Sequence, residues 1–311
     1  MVVDNSGQLL KLPDFMLAGA AKCGTTSIYQ YLQHHPRIYI PEIKEPFYFS
    51  FDDQEPTYTS KRFKSKVVWQ QDEYLKLYKH LEEHIKLGDA STSYLYTAAT
   101  TIKHMQRVYG ERSRDVRIML ILRNPVDRAF SHYTHLVRNG LEPLSFEKAL
   151  DEAVIEERKM AMWGYDYINY GHYYESIKLF KNHFHNIRIY LFEDLAQPQM
   201  LINDLCDFLE VNRILIPSGN IKANASGIPK NASAVKLLRS PALANALKKI
   251  IPARFKENAR RVKERIMVGL LERPAMSPDL RHEIWKNYES ELDALEDLIE
   301  RDLSKWKRDA R

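Results

Sequence analysis

Disulfide chemistry is the first thing this sequence lacks. Cys23 and Cys206 are the only cysteines in 311 residues, which excludes a disulfide framework and fits a reducing compartment. No segment approaches the length of unbroken apolar sequence that a membrane span requires. The opening stretch MVVDNSGQLLKLPDFML carries no basic region followed by a long apolar run, so no secretory signal is expected. Internal repeats and low-complexity segments are absent too. A formal net charge of +5 is small for this length. It suits an anionic ligand without demanding a polyanion, and Lys and Arg do not interleave with aromatics in a stripe, so no nucleic-acid partner is expected. These absences leave a soluble chain with a cytoplasmic setting. Oligomeric state is not encoded in any pattern of the sequence.

What is present is an alternation of β-rich and helical segments, which predicts an α/β fold with a mostly parallel sheet between layers of helices. The apolar runs are Phe15 to Ala20, Ile85 to Ala90, Val116 to Leu122 and Ile187 to Glu193. VRIMLIL is a continuous apolar run of the kind that fills a buried central strand, whereas IRIYLFE alternates and belongs nearer an edge. Helix is expected from Thr25 to His34 and again from Pro125, a residue preset for a first helical turn. Residues 221–232 read as a loop rich in Asn, Ser, Gly and Pro. From Ser233 onward the pattern is helical and charged, broken at Pro241, Pro252, Pro274 and Pro278. The expectation is one domain over residues 1–311: an α/β core over 1–232 and a helical C-terminal extension over 233–311 that packs on the sheet and closes over the site.

The strongest chemical signal is GAAKCGTTS, Gly19 to Ser27, between a strand and a helix. A glycine loop there converges backbone N–H groups on an anion at the positive end of the helix. The spacing approaches the nucleotide-binding pattern G-x-x-x-x-G-K-[ST], with Gly19 and Gly24 in place. The lysine has moved, however: Thr25 stands where the nucleotide-handling lysine belongs, and Lys22 lies inside the loop. VRIMLIL also ends in Arg123, where a metal-holding aspartate is needed. Both departures count against a small-molecule kinase using Mg²⁺ and ATP.

With those residues in view, the chain resembles the sulfotransferases that use 3′-phosphoadenosine 5′-phosphosulfate (PAPS). Their 5′-phosphosulfate loop, Lys-x-Gly-Thr-[Thr/Ser], is matched by Lys22, Gly24, Thr25 and Thr26. Their 3′-phosphate motif, an Arg at the end of a central strand and a Ser eight residues on, is matched in RNPVDRAFS by Arg123 and Ser131. KEPFYF, GDASTSYLY, GHYYESIKLF and IYLFEDL are similar to stretches of bacterial members and of the related glycosaminoglycan enzymes. The resemblance implies a P-loop-like three-layer fold and transfer of a sulfuryl group to an acceptor hydroxyl, with PAP released. It implies a donor site of Lys22, Cys23, Gly24, Thr25, Thr26, Ser27, Arg123, Ser131 and, from the 221–232 loop, Lys230. No metal is implied.

Glu45, in KEPFYF, occupies the place of a catalytic glutamate in the glycosaminoglycan enzymes, and Phe47, Tyr48 and Phe49 are expected to desolvate it. Lys44 is a candidate for holding acceptor or sulfate. The acceptor itself stays open among polysaccharides, glycolipids, small metabolites and chains on acyl carrier proteins. The competing readings are the kinase and an inactive binding protein of the same fold.

Other patterns carry ordinary meanings. His132 and His135 lie one helical turn apart but lack further ligands at metal spacing. Lys248, Lys249, Arg254, Arg260 and Arg261, within the basic stretch Lys236 to Arg265, read as a solvated helix face. Tyr94, Tyr96, Tyr173 and Tyr174 suit either core or acceptor cleft.

Overall fold

The computed structural model describes residues 2–3, 9–79, 85–216, 227–229, 271–272 and 274–309. Its sheet has five strands: β1 (Phe15–Gly19), β2 (Ile38–Tyr39), β3 (Lys86–Asp89), β4 (Arg117–Leu122) and β5 (Ile187–Leu191). They are all parallel, in the order β2-β3-β1-β4-β5. The continuous apolar run became an interior strand, buried from Ile118 to Leu122, and the alternating run became an edge. β2 was not anticipated, because two residues are too few to show a period.

Five longer helices connect and cover this sheet: α1 (Thr25–Gln33), α2 (Ala98–Tyr109), α3 (Pro125–Arg138), α4 (Tyr174–His183) and α5 (Pro198–Leu209). Asn124 caps α3, its side-chain oxygen accepting the N–H groups of Val126 and Asp127, with Pro125 in the first turn. The chain leaves β1 for the β2 side of the sheet and leaves β4 for the β5 side. The two connections therefore diverge above the carboxyl ends of β1 and β4, where parallel sheets place their ligands.

Tight packing sets the register at the centre. A Cβ on Gly88 would lie 2.2 Å from the Phe15 ring, so β3 carries glycine where β1 presents a phenyl group. Asp14 accepts the Leu87 N–H at 2.8 Å and holds the start of that pairing.

The described part of the C-terminal region is helical, with α6 (Pro278–Trp285), α7 (Leu292–Ile299) and a short turn at Ser304–Arg308. Arg281 pairs with Asp127 at the start of α3, and Arg301 grips Asp194 with both guanidinium arms at 3.1 and 2.9 Å. Trp306 is buried, and its indole N–H donates to Glu193. One departure from expectation lies within the predicted loop and helix: Ile228–Pro229 and Leu271–Glu272 pair as a two-residue antiparallel ladder.

At the end of β3 a carboxylate is fully buried. Asp89 accepts hydrogen bonds from Tyr74 at 2.8 Å, Tyr94 at 2.6 Å and Ser91 at 2.8 Å. Burial pushes its carboxyl up to about 6, with those hydrogen bonds opposing the rise. The native state therefore keeps a proton that the unfolded chain releases near pH 4, and this group's contribution to stability falls as pH rises from about 4 to about 6. Asp89→Asn removes that titration. The variant's Tm measured relative to the wild type is expected to climb by roughly 5 °C between pH 4 and 6.5. A flat difference across that range would mean that Asp89 is ionised throughout.

Candidate active site

The turn between β1 and α1 is shaped by two left-handed residues, Lys22 at φ 69° and Gly24 at φ 100°. Gly24 has no substitute there, because a Cβ would also lie 2.4 Å from the Leu195 side chain. Gly24 sits at the helix N-cap, where it offers no side-chain oxygen, and the first turn of α1 holds no acidic residue. The first N–H groups of α1 thus lack a side-chain cap, and the positive end of the helix dipole meets no built-in carboxylate.

A cavity of about 1560 Å³ opens over this turn. Lys22, Gly24, Thr25, Thr26 and Ser27 line it from the loop and α1, Lys44 and Glu45 from the segment after β2, Arg123 from the end of β4, and Ser131 from α3. Residues up to 109 positions apart in sequence, Lys22 and Ser131, therefore share one wall system. Cys23 does not join them. Its side chain is wholly buried, 3.6 Å from the Tyr173 hydroxyl and from the Ala21 carbonyl oxygen, and its backbone N–H is taken by Ala20. Burial pushes its thiol up rather than activating it. Lys230 lies outside the described residues, as do the basic residues from Lys236 to Arg265.

Positive charge dominates the site. Burial, Arg138, Lys44 and Arg123 push the Lys22 ammonium down to about 8, against the pull of Glu45. Lys44 donates to the Thr26 hydroxyl at 2.8 Å and stands 3.7 Å from Glu45. Arg123 stacks over the Phe192 ring at 4.5 Å. Its natural neighbour Asp127 is held by Arg281, and among the described residues Arg123 forms no ion pair. A guanidinium left in this condition is available for an anion.

Glu45 is held from behind by the turn that follows β3. Its backbone N–H donates to Ala90, its carboxylate accepts from the Thr92 hydroxyl at 3.0 Å, and the next fixed point, the Phe47 N–H, donates to Ser91 at 3.1 Å. Glu45 and Phe47 both have positive φ, 64° and 65°. That double reversal turns Tyr48 and Phe49 into the core against Tyr74, Tyr94 and His104. Only Phe47 of the three expected aromatics lines the cavity beside Glu45; the glutamate side chain keeps 30% exposure.

Sequence reasoning passed over two neighbours. Thr92 carries no motif of its own, and its role appears only when β3 and the Glu45 segment meet. His132 lines the cavity beyond Ser131, with Arg128 donating to its Nδ1 at 3.4 Å. Burial, Arg128 and Lys22 hold the imidazole well below its ordinary range, so it is neutral. Among the described residues no group of three or more His, Cys, Asp or Glu side chains gathers as a metal-ligand set, and no helix is long and apolar enough to cross a membrane.

Comparison with known proteins agrees with this geometry. A family model described as the sulfotransferase domain matches residues 12–226. The membrane-associated sulfotransferase kil1 of Dictyostelium discoideum is 30% identical over 47% of this chain and 29% of its own. Human carbohydrate sulfotransferase 15 is 26% identical over 46% of this chain and 30% of its own. The chain thus spans less than a third of the length of these curated relatives. The crystal structure of a sulfotransferase from Alicyclobacillus acidocaldarius superposes with a TM-score of 0.71 at 29% identity, covering 96% of this chain and 100% of that one.

The lowered Lys22 value has a consequence for stability. Between about 8 and the ordinary 10.5 the folded chain has released a proton that the unfolded chain still holds, so stability rises with pH through that window. Below it, the buried ammonium costs free energy. Lys22→Met is expected to melt a few degrees higher than wild type at pH 7, with the gap closing as pH passes from 8 toward 10. Thermal melts across that range decide it; a variant less stable at pH 7 would show that Lys22 is paid back by contacts within the free protein.

Proposed function

The chain belongs to the sulfotransferase family, and on that premise we propose that it uses PAPS as donor and sulfates an acceptor hydroxyl by in-line displacement, releasing PAP. The observation that carries the reading is the convergence on one cavity of the uncapped α1 terminus, Lys22, Arg123 and Ser131. We assign the 5′-phosphosulfate to the loop from Lys22 to Ser27. Its side-chain donors are the Thr25, Thr26 and Ser27 hydroxyls, and Lys44 donates to the Thr26 oxygen beside them. Arg123 and Ser131 take the ribose 3′-phosphate, which distinguishes this donor from ATP. Lys230, from the loop expected to cover that phosphate, completes the assignment. Cys23 contributes a small buried side chain and no donor. The whole chain acts as one domain, with 1–232 holding the donor site and 233–311 as its helical extension. Its unpaired thiols support work in the cytoplasm.

Sulfuryl transfer passes through a loose transition state, so positioning and charge stabilisation dominate. Lys22 offsets charge that grows on the bridging oxygen as the bond to sulfur breaks. Lys44 and Arg123 supply further positive charge, so that neutralising the transferred group calls for no metal. Glu45, oriented by Thr92, takes the proton from the acceptor hydroxyl as its oxygen bonds to sulfur.

Two measurements test this reading. Titration calorimetry with PAP is expected to give micromolar binding that collapses in Arg123→Ala, with ATP and Mg²⁺ binding weakly; tight Mg-ATP binding without PAP binding would point to a kinase. Glu45→Gln is expected to lower kcat about a hundred- to ten-thousand-fold and to leave PAP affinity unchanged. Retained turnover in that variant would move the base elsewhere.

A further inference from the structure

The cavity lining is of two kinds. Lys22, Arg123, Ser131 and the α1 terminus contribute polar and charged groups, and a separate cluster of packed rings forms an aromatic recess. Its walls are Phe47, Phe63, Val67, Val68, Trp163 and Tyr170, all lining the cavity. Trp163 anchors the group, with ring centroids 5.6 Å from Phe47 and 5.3 Å from Phe63. Tyr170 is fixed by a parallel stack on Tyr96 at 3.9 Å. The recess touches the reaction centre twice: Phe47 is two residues from Glu45, and Ala21, which packs against the same cluster, precedes Lys22.

Charge separates the two kinds of lining as clearly. Among the described residues the cavity-lining lysines and arginines are Lys22, Lys44, Lys66 and Arg123. Lys22 stands in the phosphate loop, Lys44 reaches Thr26 of that loop from the segment after β2, and Arg123 stands at the end of β4. That leaves Lys66, next to Val67, as the one cavity-lining cation by the recess, since Arg128, 5.6 Å from the Tyr170 ring, is fully buried and does not line the cavity. A sulfated or uronic glycan threaded here would bring repeated negative charge to a wall with one exposed lysine, and would desolvate its carboxylates against rings. An aromatic ring meets the opposite conditions, since edge and face contacts with Trp163, Phe63 and Phe47 are each favourable beyond simple area burial.

We propose that this recess is the acceptor subsite and that its ligand is a phenol or aryl alcohol, an uncharged aromatic ring bearing the reacting hydroxyl. The inference rests on the sulfuryl-transfer reading above and narrows its acceptor. The aryl oxygen forms the new bond to sulfur, the bond from sulfur to the phosphate oxygen breaks, Glu45 receives the hydroxyl proton, and PAP leaves with the bridging oxygen.

The test is titration of the full chain with 2-naphthol, maltotriose and chondroitin sulfate, each with and without saturating PAP, followed by transfer assays with PAPS. Naphthol is expected to bind and to be sulfated. Phe63→Ser, at a half-buried position, and Trp163→Leu are expected to weaken naphthol binding about tenfold or more, with PAP affinity changed less than twofold. The PAP titration also reports whether each variant is folded. Chondroitin sulfate or maltotriose binding and being sulfated in place of naphthol, with PAP bound normally, would overturn the aromatic acceptor and leave the donor site standing. Naphthol affinity indifferent to both substitutions would likewise overturn it. Failure of the wild type to bind PAP would overturn the donor reading, and the acceptor role with it.

Discussion

An exposed helix terminus facing a cluster of cations is an unfavourable arrangement for a protein without its ligand, and much of this structure is organised around holding it. The N-cap of α1 is a glycine forced into a left-handed conformation, and the helix starts without carboxylate or hydroxyl at its cap. Lys22, Lys44, Arg123 and Arg138 are close enough for three of them to depress the fourth. Glu45 is the single acidic influence on Lys22 in that set. Such a site stores repulsion that an anion relieves on binding, which is the usual direction of trade between stability and activity. No carboxylate among the described residues pairs with Arg123, because Asp127 is already committed to Arg281.

That commitment comes from the far end of the chain. Arg281 on α6 removes Asp127 from competition, and Arg301, just past α7, fixes Asp194 in the turn after β5. That turn carries Phe192 under the Arg123 guanidinium and Leu195 against Gly24. The described C-terminal helices therefore act on the site through its supports: they orient the arginine and close the space behind the glycine. The sequence suggested an element that closes over the cavity. Within the described residues the contribution is a buttress, with Pro274 as its point of contact with the cavity lining.

Some of this was legible from residue order alone. Continuous apolar sequence marked β4, strand-glycine-helix order marked the turn between β1 and α1, and the exit of β4 marked Arg123, which lines the cavity. What could not be read depends on partners distant in sequence or on backbone handedness. The Asp127–Arg281 pair joins residues separated by 154 positions, and no local pattern announces it. Thr92 reaches Glu45 across 47 positions. The fate of Tyr48 and Phe49 turned on positive φ at Glu45 and Phe47, conformations uncommon for such residues and invisible to hydrophobic patterning. The aromatic recess was missed for a related reason: Phe63 and Trp163 come from segments 100 residues apart, and only the fold makes them neighbours.

The turn after β3 links these matters. Asp89 fixes Ser91, Ser91 accepts the Phe47 N–H, Ala90 accepts the Glu45 N–H, and Thr92 donates to the Glu45 carboxylate. Four consecutive residues thus set both the position of the glutamate and the first ring of the recess. Because Tyr74, Tyr94 and Ser91 all donate to the Asp89 carboxylate, its protonation weakens the hydrogen-bonded platform on which Glu45 stands, while burial works against its ionisation. Glu45 in turn adds negative potential at Asp89, which raises the aspartate further. The two carboxylates are consequently coupled through geometry as well as charge. A change that neutralises Asp89 therefore reaches Glu45 and the Phe47 ring even though Asp89 does not line the cavity.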